Sequence, residues 1–203
     1  MEPIIEYLKA TYHPIGLIVY GSFANGTNQE NSDFDALLIT EDGPQGHDHS
    51  HVLDTELDVF IYSKSAFAQD YDIEDFIQIW DGRIVLDPSG LLAALKEQAN
   101  AYIQQYVPKS RQENEHNVAW CQKMLCRARR GDMEGFYRLH WLLKDSLEIY
   151  FDVRGQYFFG PKKALRQMDE TDPEAARLYD MALRNPSYET VDRWIACLKE
   201  RLG

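Results

Sequence analysis

Tyr20-Gly21-Ser22-Phe23-Ala24-Asn25-Gly26-Thr27, followed by Ser32-Asp33-Phe34-Asp35-Ala36-Leu37, is the stretch of this 203-residue chain on which its fold turns. The apolar run GLIVYG (16–21) leads into it and reads as a buried strand. Gly21 lets the backbone turn tightly and approach a ligand with no Cβ in the way. Ser22 then falls at a helix start, where free N–H groups and a hydroxyl face outward and favour an anion. Some ten residues later the chain re-enters a strand, DALLIT (35–40). Alternation puts Asp33 and Asp35 on one face and turns Phe34 into the core. Two carboxylates so placed repel each other unless a cation sits between them. Ligands that are all oxygen select a hard divalent ion, and Mg²⁺ paired with phosphates is the usual occupant. Asp58 interrupts a further apolar strand, LDVFIY (57–62), from which it can come against the pair. A carboxylate in such a run needs a reason, and a shared metal supplies one.

Outward from this stretch the two halves of the chain differ in pattern. RIVLD (83–87) reads as a shorter strand closed by Pro88, and helices are expected at 2–12, 65–70 and 72–79. The first carries Ile4, Ile5, Leu8 and Tyr12 at helical spacing. EDGPQGHDHSH (41–51) reads as a mobile, solvated loop, so His47, His49 and His51 alternate without a geometry that would hold a metal. These elements indicate an α/β or α+β unit with helices on a small sheet.

From residue 89 strand signals vanish. Leu91, Leu92, Leu95, Tyr102, Ile103 and Tyr106 mark a helix broken at Pro108, and Val118, Cys121, Leu125 and Ala128 mark a second that ends in Arg127, Arg129, Arg130 and Gly131. Asp132 caps a third, whose buried face is expected to carry Phe136, Leu139, Leu143, Leu147 and Tyr150. Asp172-Pro173 opens another, and Ser187 caps a last one bearing Val191, Trp194, Ile195, Leu198 and Leu202. The second half is a helical bundle.

A Gly-Ser turn, a spacer of about ten residues, Asp-x-Asp on a strand and a third acid on a later strand together resemble the nucleotidyltransferase superfamily typified by DNA polymerase beta. The resemblance covers residues 15–62 in detail, with a core extending to residue 88. It implies an α+β fold: a small mixed sheet flanked by helices over 1–88, followed by the all-α bundle over 89–203. It also implies two Mg²⁺ ions, an NTP, and attack of a hydroxyl on the α-phosphate with loss of pyrophosphate. Asp33 and Asp35 would bridge both ions, Asp58 would hold the ion that activates the hydroxyl, and Gly21 and Ser22 would fix the β- and γ-phosphates. A helical domain after such a core resembles the antibiotic nucleotidyltransferases, such as the kanamycin and lincosamide enzymes. That likeness implies a general base on the helical domain, for which Glu148 is the candidate. It shares one helix face with Trp141, Asp145 and Asp152, a face that also fits an acidic solvated surface.

The net charge of −12 argues against a grip on DNA or RNA, which needs clustered Lys and Arg, and suits a cationic acceptor or several metal ions. No apolar run is long enough to span a bilayer, the start MEPIIEYLKATYH has no secretory pattern, and Cys121, Cys126 and Cys197 show no framework spacing. The expectation is a cytoplasmic enzyme, of open oligomeric state, moving AMP from ATP to a hydroxyl of a small, aminoglycoside-like cation held between the two halves. The alternatives are an antitoxin-type adenylyltransferase acting on a protein and a module that senses nucleotide without turning it over.

Relatives carry basic residues soon after the Gly-Ser turn, where this chain has Phe23 and Asn25. Gly160-Pro161-Lys162-Lys163 offers the missing charge: Pro161 starts a helix, yet two lysines follow at the end of the dipole that repels cations. Two exposed lysines tolerated at a small cost is the plain reading; a bound anion would resolve the conflict. Replacing Lys162→Ala together with Lys163→Ala is expected to weaken NTP binding more than acceptor binding, by about 1.5–3 kcal/mol per lost contact. Titration calorimetry showing an unchanged nucleotide Kd would remove both lysines from the site.

Overall fold

In a computed structural model describing residues 1–203, the chain divides into two compact units, Met1–Gln105 and Tyr106–Gly203. The first is built on a mixed sheet of β1 (Gly16–Val19), β2 (Phe34–Thr40), β3 (Gly46–Asp48), β4 (His51–Val52), β5 (Thr55–Ser63) and β6 (Arg83–Leu86). The strand order is β3-β5-β2-β1-β6, with β4 also on β5. β2 and β5 run parallel, and the other pairs are antiparallel. Both faces of the sheet are covered, which is why its central strands are continuous apolar runs rather than alternating ones.

One face buries Leu17, Val19, Phe34, Ala36, Leu38, Leu57, Val59 and Ile61 against Ile4, Ile5 and Leu8 of α1 (Glu2–Tyr12). The other buries Ile18, Tyr20, Leu37 and Ile39 against a 3₁₀ segment at Ile73–Ile79 and against Leu92 and Leu95 of a helix at Leu91–Gln104. A second 3₁₀ segment, Lys64–Ala68, carries Phe67 into a ring cluster with Tyr62, Tyr71 and Phe76. Helices expected at 65–70 and 72–79 are therefore tighter, short 3₁₀ turns, as brief connecting helices often are.

The helix at Leu91–Gln104 packs on the sheet, and the first compact unit runs to Gln105. Gly16 makes that packing close: a Cβ there would stand 3.1 Å from Leu92 Cδ1. Residues 41–51 are not wholly loop, because β3 and β4 both pair with β5. Leu53 and Asp54, both at positive φ, form the two-residue turn between β4 and β5, the mirror-image turn whose twist suits a hairpin.

With α2 (Gly21–Asn25) lying between β1 and β2, the helix at Leu91–Gln104 is α3. The second unit contains α4 (Arg111–Ala128), α5 (Met133–Val153), α6 (Pro161–Thr171), α7 (Pro173–Arg184) and α8 (Tyr188–Leu202). Ser110 with Glu113 and Ser187 with Thr190 cap α4 and α8 reciprocally, and the Asp132 carboxylate accepts from Gly135 N–H at 2.9 Å at the start of α5. Its core centres on Trp194, Tyr150 and Phe151, with Leu139, Leu143, Leu147, Val191, Ile195 and Leu198 around them. Inside it the Trp194 indole donates to Ser146 Oγ (2.8 Å), and Ser146 Oγ and the Tyr179 hydroxyl both donate to Leu143 C=O.

Phe136 is exposed rather than buried. A Cβ on Gly135 would stand 2.5 Å from Ala128 C=O, so Gly135 takes the inward place and Phe136 turns out. Leu202 is only half-buried. No helix is long and apolar enough to cross a membrane.

Asp172 ties this unit together. Its carboxylate caps α7 at Ala175 N–H (3.2 Å) and accepts two bonds from Arg201 of α8, each 2.9 Å. Arg154 and the Tyr150 hydroxyl of α5 each donate to it at 3.1 Å. The Arg201 guanidinium, Ala175 N–H and Tyr150 outweigh partial burial and hold the Asp172 carboxyl well below the usual carboxylate range. Its contribution is thus complete above the ordinary carboxylate value of about 3.9 and is lost as pH falls below that, toward the depressed folded value. Asp172→Asn is expected to destabilise the second unit by about 3 kcal/mol. Denaturant unfolding at neutral pH checks the magnitude, and the difference from the wild type should shrink below about pH 4.

Candidate active site

β1 ends at Val19, opposite Ala36, and Tyr20 N–H donates to Asp35 C=O at 3.0 Å. The chain therefore begins α2 directly beside Asp35. Gly21 sits at φ +65°, and a Cβ on it would lie 2.1 Å from Asp35 Oδ2. The Asp35 carboxylate thus occupies the space that any side chain at 21 would fill, and the left-handed backbone disfavours one independently. Ser22 lies in the first turn of α2. Phe23 packs its ring on Phe34 with centroids 5.2 Å apart, so this position after the Gly-Ser turn serves the core.

Parallel pairing sets Asp35 of β2 opposite Asp58 of β5, with Phe34 opposite Leu57 and Ala36 opposite Val59. Leu57 and Val59 are fully buried on the α1 face, and Asp58 with Phe60 and Tyr62 alternates to the other. Asp35 shares that second face with Leu37 and Ile39. The two acids are side-chain neighbours on adjoining strands, roughly 5 Å apart at the backbone. Asp33 is exposed just ahead of β2, separated from Asp35 by the buried Phe34. Burial, and then the charges of Asp58 and Asp35, push the Tyr20 hydroxyl far up, so it stays a neutral wall of this edge. All-oxygen donors on one face, with the Asp35 carboxylate seated where Gly21 has no Cβ, fit a hard divalent cation. Asp35, Asp58 and Asp33 would hold it.

Sequence reasoning discounts His47, and the structure restores it. Its Nε2 meets Asp58 Oδ1 at 2.5 Å, its ring stacks on Phe60 with centroids 4.0 Å apart, and the His49 ring meets it edge-on at 3.7 Å. Pairing of His47 with Phe60 across β3 and β5 fixes this arrangement. The usable signal is the period of two in His47-Asp48-His49, which is a strand pattern inside a turn-rich segment.

The remaining candidates belong to the second unit. Glu148 is exposed on α5, Lys162 is exposed in the first turn of α6, and Lys163 there is half-buried. The acidic face expected around Glu148 is broken: Asp152 is buried and paired with Lys109 at 2.6 Å. Asn114 Nδ2 donates to the Asp152 carbonyl, so this acid anchors α4 to α5.

The sequence model of the family described as "Nucleotidyltransferase domain" matches residues 1–86. A search of the curated proteins finds no match. Among solved structures, the chain is similar to a nucleotidyltransferase-like protein from Exiguobacterium sibiricum 255-15, at 14% identity and a TM-score of 0.44, over 98% of this chain and 74% of that one. The matched residues end at the last strand of the sheet and include Gly21, Ser22 and all three acids. Residues 1–86 are a nucleotidyltransferase domain.

Proposed function

We propose that this protein transfers AMP from ATP to a hydroxyl of a small cationic acceptor in an aminoglycoside-like class, with release of pyrophosphate. The reading rests on one observation: Asp35 and Asp58 stand side by side on parallel strands, with the α-carbon of Gly21 against the Asp35 carboxylate. In this reaction an acceptor oxygen bonds to the α-phosphorus, the bond from that phosphorus to the bridging oxygen breaks, and pyrophosphate leaves. The proton of the hydroxyl passes to a carboxylate, for which Asp58 is the candidate within the first unit. Two Mg²⁺ ions, when bound, would neutralise phosphate charge and make the hydroxyl more acidic. Asp33, Asp35 and Asp58 would hold them. The N–H groups of Gly21 and Ser22, at the start of α2, would meet the terminal phosphates. Net negative charge draws in a cation and repels a polyanion, which favours a small amine-bearing acceptor over a nucleic acid.

Asp33→Asn, Asp35→Asn and Asp58→Asn are each expected to abolish Mg²⁺-dependent pyrophosphate release from ATP across a panel of amino sugars. Asp33→Asn and Asp35→Asn also relieve repulsion in metal-free protein, so their thermal stability without metal should hold or rise. A marked loss of stability in chelator would show these acids to be structural, and label from ATP appearing only on tRNA or single-stranded DNA would overturn the acceptor class.

Gly21→Ala should cost about 1–2 kcal/mol through its backbone conformation. It should also displace the Asp35 carboxylate and lower turnover at least as far as an Asp35 substitution does. A Gly21→Ala variant that keeps full activity at saturating Mg²⁺ would sever Asp35 from the chemistry.

A further inference from the structure

We propose that His47, His49 and Asp58 form a site for one divalent transition-metal ion of the Zn²⁺ class, adjoining the paired carboxylates and sharing Asp58 with them. Their ligand atoms all lie within 4.8 Å of one another. A tetrahedral ion with bonds of 2.0–2.1 Å needs its ligand atoms about 3.3 Å apart. Small side-chain rotations close the set, and the contact of His47 Nε2 with Asp58 Oδ1, at 2.5 Å, has to open by less than about 1 Å.

The backbone holds these donors in place. β3 pairs along β5 with His47 opposite Phe60, whose ring supports the imidazole. Alternation sends Asp48 to the opposite side of the strand, where it accepts from the Tyr12 hydroxyl of α1 (2.7 Å) and from Ser50 N–H (2.8 Å). Leu57 N–H donates to Ser50 C=O at 2.9 Å, which ties the residue after His49 back to β5.

Donor chemistry names the ion. Two imidazole nitrogens with one carboxylate oxygen suit zinc, cobalt or a neighbouring metal, with one position left for water or substrate. Magnesium prefers oxygen donors and gives up its waters reluctantly. The side chains of His47 and Asp58 are 30% and 39% exposed, so an ion enters from solvent. A carboxylate has two oxygens, and only Oδ1 of Asp58 is turned to His47. Asp58 can therefore bridge a nitrogen-rich site and the oxygen site of the proposed transferase. The inference rests on that reading only through Asp58, and its test involves no nucleotide.

Metal-free protein is titrated with Co²⁺ in excess Mg²⁺, following visible absorption and calorimetric stoichiometry. One Co²⁺ per chain, with the intense bands of a four-coordinate ion, is expected. His47→Ala and His49→Ala should each weaken Co²⁺ binding by more than about 100-fold, beyond the 10–100-fold that loss of an outer-shell partner costs. His47→Gln, which keeps a polar side chain against Asp58, should lose Co²⁺ as His47→Ala does. Asp35→Asn should keep Co²⁺ binding within about 10-fold of the wild type. Absence of stoichiometric Co²⁺ binding overturns the proposal and leaves His47 a hydrogen-bond partner of Asp58. Binding that survives both alanine variants, or that is lost equally in Asp35→Asn, overturns it too, because the ion then sits on the acids alone.

Discussion

Parallel pairing of β2 with β5 places Asp35 and Asp58 at matching register positions on adjoining strands, and the residues that flank them in the first unit hold that register. Acids on adjoining positions of one face repel each other unless a cation sits between them. Phe34, Ala36, Leu57 and Val59, the residues flanking the pair, are fully buried on the α1 face. Burial of each large side chain among them is worth about 1.5–3 kcal/mol, so packing outweighs the repulsion and the sheet forms with its charges in place.

Three local features refine that edge. Gly21 supplies a vacancy that only a residue without a Cβ leaves, and Asp35 fills it. Tyr20 closes the same side as an uncharged ring, since burial and the two acids oppose its ionisation. His47, held on Phe60, adds a nitrogen donor to Asp58. One carboxylate thus faces two chemically different neighbourhoods, oxygen on the Asp35 side and imidazole on the other.

The second unit solves a different problem with the same economy of charge. Three helices meet at Asp172, which serves as helix cap, ion-pair partner and hydrogen-bond acceptor at once. The neighbouring core is polar where it must be: Trp194, Ser146 and Tyr179 pass their hydrogen bonds to Leu143 C=O and leave no buried donor among them unmet. Asp152 repeats the device between α4 and α5 through Lys109 and Asn114.

Local order is legible in the residues themselves. Continuous apolar runs mark β1, β2, β5 and β6, helical spacing marks α1 and the helices of the second unit, and Ser110, Asp132, Asp172 and Ser187 all cap helices; of these, Asp132, Asp172 and Ser187 are readable from the sequence. Such features depend on neighbours a few positions away, which a sequence displays. The alternation of Asp33, Phe34 and Asp35 is of the same kind, and so is the Gly-Ser turn. What needed the tertiary structure was every decision made between distant segments. The parallel register that sets Asp35 against Asp58, the docking of α3 on the sheet, the burial of Asp152 and the outward turn of Phe136 each depend on a partner outside the local pattern. His47 shows the difference best: its period of two with His49 is a strand pattern masked by the Gly, Pro and Asp around it, and only pairing with β5 makes it a fixed donor, because strand pairing is a long-range contact that composition does not encode.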